Sequence, residues 1–322
     1  MSALVVVITS LWLLSLSTEA AAPNYLYNFC GNDTTIYSPN STFKSNLNLL
    51  LSNLSSNNTP NNLFYNATAG RGPPGAAYGL FLCRGDVTIN ACHDCVVTAS
   101  QEIVKSCPNE TVAYIWYDEC MLRYDNKSFF GIVDESPKVS MLNTENIAEK
   151  DQFAKVLGDT LDELVNRASS NRSLNDQYVK RFATGDVNFT SRQRLYSLVQ
   201  CTPDLSGADC KRCLQVAIDN LRICCNGKQG GRVLQPSCNI RYEIYPFYGL
   251  KATAPLPSPT LPPSSLTSPR GKTSKHKPKW VNYRVQAIEF FFCGIYSRLH
   301  IMLFYSLKGW DKALICLFLF GS

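Results

Sequence analysis

Twelve cysteines within the first 250 residues carry the most concentrated chemistry of this chain. Cys83, Cys92 and Cys95 stand in a Cys-x8-Cys-x2-Cys spacing, and Cys201, Cys210 and Cys213 repeat it. Thiolates at CxxC spacing can supply half of a tetrahedral zinc site, whereas the same sulfurs, oxidised, form bridges. The compartment decides between the two. Residues 4–16 are an apolar run too short to span a bilayer, followed by small residues at Ala20 to Ala22, and residues 1–22 read as a secretory signal peptide. Nine N-x-S/T sequons, at Asn32, Asn40, Asn53, Asn57, Asn66, Asn109, Asn126, Asn171 and Asn188, are usable only on a surface facing the secretory lumen. In that oxidising setting the cysteines are expected to form disulfides, with no metal and no cofactor.

Little else in the chain points to catalysis. His93 is the one histidine before the tail, and a surface helix-cap role is expected of it rather than general-base chemistry. No nucleophile elbow or spaced acid pair stands out, so the chain reads as a non-enzyme. Tyr242, Tyr245, Phe247 and Tyr248 can line a ligand surface, although a strand-face core is the preferred reading. The net charge of +6 does not indicate nucleic-acid binding. Residues 23–250 hold 21 Lys/Arg against 22 Asp/Glu, and residues 251–322 hold 10 against 2, so the basic balance belongs to the tail.

The elements that must position these cysteines come in two sets. Sliding the 322-residue chain by 118 aligns Tyr78 with Tyr196, Cys83 with Cys201, Cys92 with Cys210, Cys95 with Cys213, Cys107 with Cys225 and Cys120 with Cys238, without a gap. A repeat of that length is a domain, and the two copies are expected to be separate cores meeting at an interface, with the seam near Ser136 to Ser140. Phe43, Leu47, Leu50 and Leu54 recur at helical spacing, as do Phe153, Leu157, Leu161 and Leu164. A second helix is expected after each CxxC, with Val96, Ile103 and Val104 on its apolar face in one copy and Leu214, Ala217, Ile218 and Leu221 in the other. Segments such as Thr111 to Tyr117, Met121 to Tyr124 and Asn239 to Tyr245 are β-branched and aromatic and read as strands. The fold class is therefore α+β: two tandem copies, each an antiparallel sheet packed against two helices and stapled by disulfides.

The double cysteine motif, with YSLVQC, QGGRVLQPSC and NIRYEIYPFY, resembles the ginkbilobin-homologous (stress-antifungal) domain of plants. Its tandem arrangement is similar to the ectodomain of cysteine-rich receptor-like kinases and related secretory proteins. The resemblance implies domains at 24–131 and 138–250. It also implies bridges Cys30 to Cys107, Cys83 to Cys92, Cys95 to Cys120, Cys201 to Cys210 and Cys213 to Cys238. The second copy has no cysteine corresponding to Cys30, and an extra Cys224 adjoins Cys225. These two are left to each other, to another chain, or unpaired. The N-terminal segment of copy two, Val139 to Ala148, is then expected to be held by packing of the Phe153 helix and by the interface alone.

A single-domain member of the family binds mannose, as the resemblance implies, through an Asn just after the first cysteine, an Arg six before the last and a Glu five after it. Copy one offers Gly31, Tyr114 and Asp125 at these places; copy two has Arg232 and Glu243 but lacks the cysteine that would position the Asn. Arg232 and Glu243 read either as a sugar-binding pair or as a structural salt bridge, the latter preferred.

Beyond the second copy, residues 251–280 are a Pro/Ser-rich and then basic linker. Residues 281–322 have apolar stretches cut by Arg298, Lys308, Asp311 and Lys312, too short to span a membrane, and no kinase motif follows. That composition is expected of translated non-coding sequence after a truncation, with a terminal anchor signal at Ala313 to Ser322 as the alternative. The resemblance then implies a non-enzymatic extracellular recognition module, a truncated receptor-like ectodomain in plant defence or stress signalling. Its partner would be a cell-surface or apoplastic protein. The alternative is a secreted mannose-binding, lectin-like antifungal protein with a glycan ligand.

Overall fold

The structure, a computed structural model, describes residues 22–31, 36–56, 63–72, 74–170 and 181–249. The signal-peptide reading up to residue 21, the linker and the tail lie outside these residues. The contacts divide the chain after Lys127. This division falls earlier than the sequence seam because the intervening segment is tied to the second unit: Gly131 N donates to Asp204 Oδ2 (2.8 Å) and Asp134 N to Ser237 Oγ (2.8 Å).

The first unit runs β1 (Tyr25–Cys30), α1 (Thr42–Ser56), β2 (Phe64–Ala69), β3 (Ala77–Cys83), α2 (Ile89–Ser106), β4 (Ala113–Tyr117) and β5 (Cys120–Asp125). Its strands form one antiparallel sheet in the order β1-β4-β5-β3-β2. Helix α1 forms where Phe43, Leu47, Leu50, Leu51 and Leu54 make a continuous apolar stripe, all of it buried. It lies so close to the sheet that β3 needs a glycine beneath it. A Cβ on Gly79 would come within 2.9 Å of Leu50 and 3.2 Å of the Arg123 carbonyl.

Helix α2 does not follow the CxxC but contains it. It begins at Ile89 because Thr88 caps it, the hydroxyl accepting from Ala91 N at 3.2 Å. His93, five residues into the helix and exposed, makes no cap; this corrects the role expected of it. The buried face is Cys92, Cys95, Val96, Ala99, Ser100 and Ile103, with Val104 only partly buried. Replacing Thr88 by Ala is expected to cost the first unit about 1 kcal/mol, read from chemical denaturation of the full chain.

The second unit repeats the plan with β6 (Val139–Leu142), α3 (Lys150–Ser169), β7 (Phe182–Asn188), β8 (Arg194–Cys201), α4 (Gly207–Cys225), β9 (Gly230–Leu234) and β10 (Cys238–Glu243), in sheet order β6-β9-β10-β8-β7. Ser206 caps α4 by accepting from Asp209 N. Phe153, Leu161 and Leu164 of α3 and Leu214, Ala217, Ile218 and Leu221 of α4 fill the core against Val199, Val233, Ile240 and Tyr242. The N-terminal segment is held otherwise than expected. Val139–Leu142 is an edge strand in register with β9, and the pairing continues through Asn143 N to Gly230 O and Ile147 N to Gly227 O. Lys228 Nζ adds bonds to Thr144 O and Asn146 Oδ1. Backbone hydrogen bonding supplies what the helix and an interface were expected to supply.

Candidate functional site

Every cysteine of the two motifs is bonded. Cys92 and Cys95, three residues apart on one face of α2, tie that helix to adjacent strands, Cys92 to Cys83 at the end of β3 and Cys95 to Cys120 at the start of β5. Cys30 reaches Cys107 across a sequence separation of 77. In the second unit Cys210 joins Cys201, Cys213 joins Cys238, and Cys224 is bonded to its neighbour Cys225. Among the described residues no group of three or more His, Cys, Asp or Glu is placed to hold a metal ion. No described helix is long and apolar enough to cross a membrane.

Strand register locates a residue that the gapless comparison of the two copies missed. In unit 1 Cys30 faces Ala113, and Gly31 N donates to Val112 O at 2.8 Å. In unit 2 Leu142 faces Gly231, the counterpart of Ala113, and Asn143 N donates to Gly230 O at 2.9 Å. Leu142 therefore stands where Cys30 stands, and Asn143 where Gly31 stands. The three residue types that the family resemblance implies for sugar recognition thus occur in unit 2 as Asn143, Arg232 and Glu243, with Leu142 in place of the cysteine.

The register also puts these residues on one face of the sheet, away from the helices. Met141, Arg232 and Arg241 form one row across β6, β9 and β10; Gly230 and Glu243 form the next, with Asn143 continuing it. Burial then decides what they can do. Glu243 is 0% exposed and Arg232 6%, so both are buried, with Glu243 Oε2 and Arg232 Nε closed to solvent. Glu243 is paired with Arg241, Nε to Oε1 at 3.0 Å, and Tyr245 hydrogen-bonds the carboxylate as well. Arg241 also donates to the Tyr245 hydroxyl at 3.2 Å and stacks over the Phe247 ring at 4.1 Å. Burial pushes the Glu243 carboxyl up to about 7, against the opposing pull of Arg241 and, less, of Arg232. Burial likewise pushes the Tyr245 hydroxyl up to about 12.

Glu243 Oε2 has no hydrogen-bond partner among the described residues and lies against Gly230, where a Cβ would sit 2.0 Å from it. Gly230→Ala must displace the carboxylate from its ion pair. The expected loss is about 2–3 kcal/mol in the second unit, measurable by thermal unfolding, with no change in the first.

Unit 1 keeps charge at two of the equivalent places, Arg123 for Arg241 and Asp125 for Glu243, but not at the third. Tyr114 stands at the Arg232 position, stacked on Trp116 with centroids 5.6 Å apart, and the guanidinium of Arg123 lies 5.0 Å over its ring. Asp125 ends β5 and is half-buried. Of the aromatics singled out from sequence, Tyr242 and Phe247 are buried, Tyr242 within the helix-facing core, and Tyr245 and Tyr248 are half-buried. Tyr242 donates its hydroxyl to the Cys225 and Lys228 carbonyls. Among the sequons, Asn40, Asn109 and Asn188 are exposed, and Asn53, Asn66 and Asn126 are half-buried. Asn32, Asn57 and Asn171 lie outside the described residues.

Comparison with known proteins was made over the same segments. A family model described as salt stress response/antifungal matches residues 29–127 and 140–245. The chain is 46% identical to a cysteine-rich receptor-like protein kinase of Arabidopsis thaliana, over 80% of its own length and 38% of the kinase's. It thus spans less than half of that relative. It is 44% identical to an antimicrobial ginkbilobin-2-like protein of Castanea crenata, over 74% of the chain and 95% of that protein. A cysteine-rich repeat secretory protein of Arabidopsis thaliana is 38% identical over 69% of the chain and 85% of its own length. Two crystal structures of tandem DUF26 ectodomains from Arabidopsis thaliana cysteine-rich receptor-like proteins share the fold. That of PDLP8 has a TM-score of 0.59 at 24% identity, covering 68% of this chain and 98% of that one. That of PDLP5 has a TM-score of 0.56 at 29% identity, covering 69% and 99%.

Proposed function

This chain belongs to the salt stress response/antifungal family, carrying its domain twice in tandem, and from that premise we propose that it is a non-enzymatic extracellular recognition module for a cell-surface or apoplastic protein, acting in plant defence or stress signalling. The observation that carries this reading is the burial of Glu243 and Arg232 in an ion cluster with Arg241. It commits this charged set of the second unit to holding a sheet together. The cysteines are likewise committed to bridges, which favours a binding role over a catalytic one. Likeness to receptor-like ectodomains supports protein recognition, and the antimicrobial relative supports defence as its setting.

The second reading, a mannose-binding antifungal protein, is favoured by one specific observation: Asn143 supplies the third of the family's sugar-binding residue types beside Arg232 and Glu243. A glycan array probed with the secreted full chain separates the two. The leading reading expects mannose oligosaccharides to be retained no better than unrelated glycans. Mannose-selective retention that is lost in Asn143→Ala would establish the second reading instead.

A further inference from the structure

We propose that the Cys224–Cys225 bridge is a thiol-exchange site, at which an outside low-molecular-weight thiol or a partner's cysteine becomes covalently joined to Cys224. The other five bridges each join two separate parts of a unit, across separations of 9, 25 or 77 residues. Breaking any of them releases a closed loop, so its reduction is opposed by the folding free energy that the loop contributes. Cys224 and Cys225 are adjacent in sequence and close no such loop. Nothing in the fold opposes opening that bridge beyond the local turn it sits in.

Its position also directs the attack. Cys224 is half-buried in the last turn of α4, between Ile223, 62% exposed, and the buried Cys225. Cys225 sits inside, its sulfur near the Met141 carbonyl of β6 and packed against Gly231. An incoming thiolate therefore meets Cys224 Sγ. It donates its electron pair there, forming a mixed disulfide; the Cys224–Cys225 bond breaks, and Cys225 Sγ leaves with the bond pair and takes a proton from water. No net oxidation occurs at this step. In unit 1 the equivalent half-cystine, Cys107, has Cys30 opposite it on β1. In unit 2 the counterpart of Cys30 is Leu142, paired with Gly231 as Cys30 is with Ala113, and it has no sulfur. The released Cys225 thiolate can therefore resolve the adduct only by attacking Cys224 Sγ, which expels the outside thiolate and re-forms the bridge.

The folded full-length chain would be treated with reduced glutathione, quenched with iodoacetamide and mapped by peptide mass spectrometry. The adduct is expected on Cys224 and the alkyl group on Cys225, on the order of a hundred-fold sooner than modification of any other bridge. Modification of Cys201, Cys210 or any other pair first, an adduct on Cys225 instead, or no adduct before global unfolding would each overturn the assignment. The double variant Cys224→Ser/Cys225→Ser is expected to melt as the unaltered chain does and to take up no glutathione. A clearly lower melting temperature would show that the bridge holds tertiary structure, which also contradicts the proposal.

Discussion

Replacing Cys30 and Cys107 together by serine is expected to remove about 4–5 kcal/mol from the first unit, whereas replacing Cys224 and Cys225 together removes less than about 1 kcal/mol from the second. The difference follows from the separations of 77 and 1. A loss of the larger size approaches the whole stability of a small domain, roughly 5–15 kcal/mol, so the first variant should be poorly secreted and melt at lower temperature. The second unit does without a long staple because β6 is an edge strand held to β9 by four register pairs and by the bonds of Asn143, Ile147 and Lys228. Secreted yield and calorimetric melting of the two double variants check this. Equal losses would mean that the vicinal pair bears tertiary load.

The second large effect is expected at Arg241. Arg241→Met leaves Glu243 buried without its ion-pair partner, at a cost of about 3–5 kcal/mol while the carboxylate is ionised. That loss depends on pH. In the folded chain Glu243 holds its proton up to about pH 7, against 4.5 for the ordinary group, chiefly because burial penalises the charged form. Between those values the folded state binds more protons than the unfolded one, so stability falls as pH rises through the window and levels off above it. By this linkage Glu243 makes the second unit more stable near pH 4.5 than near pH 7 by about 3 kcal/mol, a slope that Glu243→Gln should abolish. In Arg241→Met the window should move upward, since the arginine is what holds the carboxyl down. Thermal unfolding of the three chains from pH 4.5 to 8 would show it. An unaltered slope in Glu243→Gln would assign the pH dependence to other groups.

Much of the fold is legible because the features that make it are local. The duplication is visible from Tyr78 onward, where no insertion separates the copies, and the helices α1 and α3 announce themselves by leucine and phenylalanine spacing. The start of helix α2 is not legible from the motif because its cap is Thr88, four residues upstream of the first cysteine of the CxxC, not the histidine within it. Asn143 escaped because the two copies differ in length before their first helix. Leu142 to Lys150 is a shorter step than Cys30 to Thr42, and only hydrogen-bond register pairs the residues correctly. The burial of Arg232 and Glu243 was not legible either. Strands β9 and β10 are buried on both faces, so the alternation that would mark a solvent-facing row is absent, and charged residues in such a strand resemble a binding surface.

The proposed recognition of a surface protein is tested most directly by binding of the fluorescently labelled full chain to plant protoplasts. Saturable binding that is abolished when the protoplasts are first treated with protease, and unchanged by free mannose or yeast mannan, is the predicted result. Binding that survives the protease but is competed away by mannan would contradict it, and would assign the chain to glycan recognition through the Asn143, Arg232 and Glu243 set.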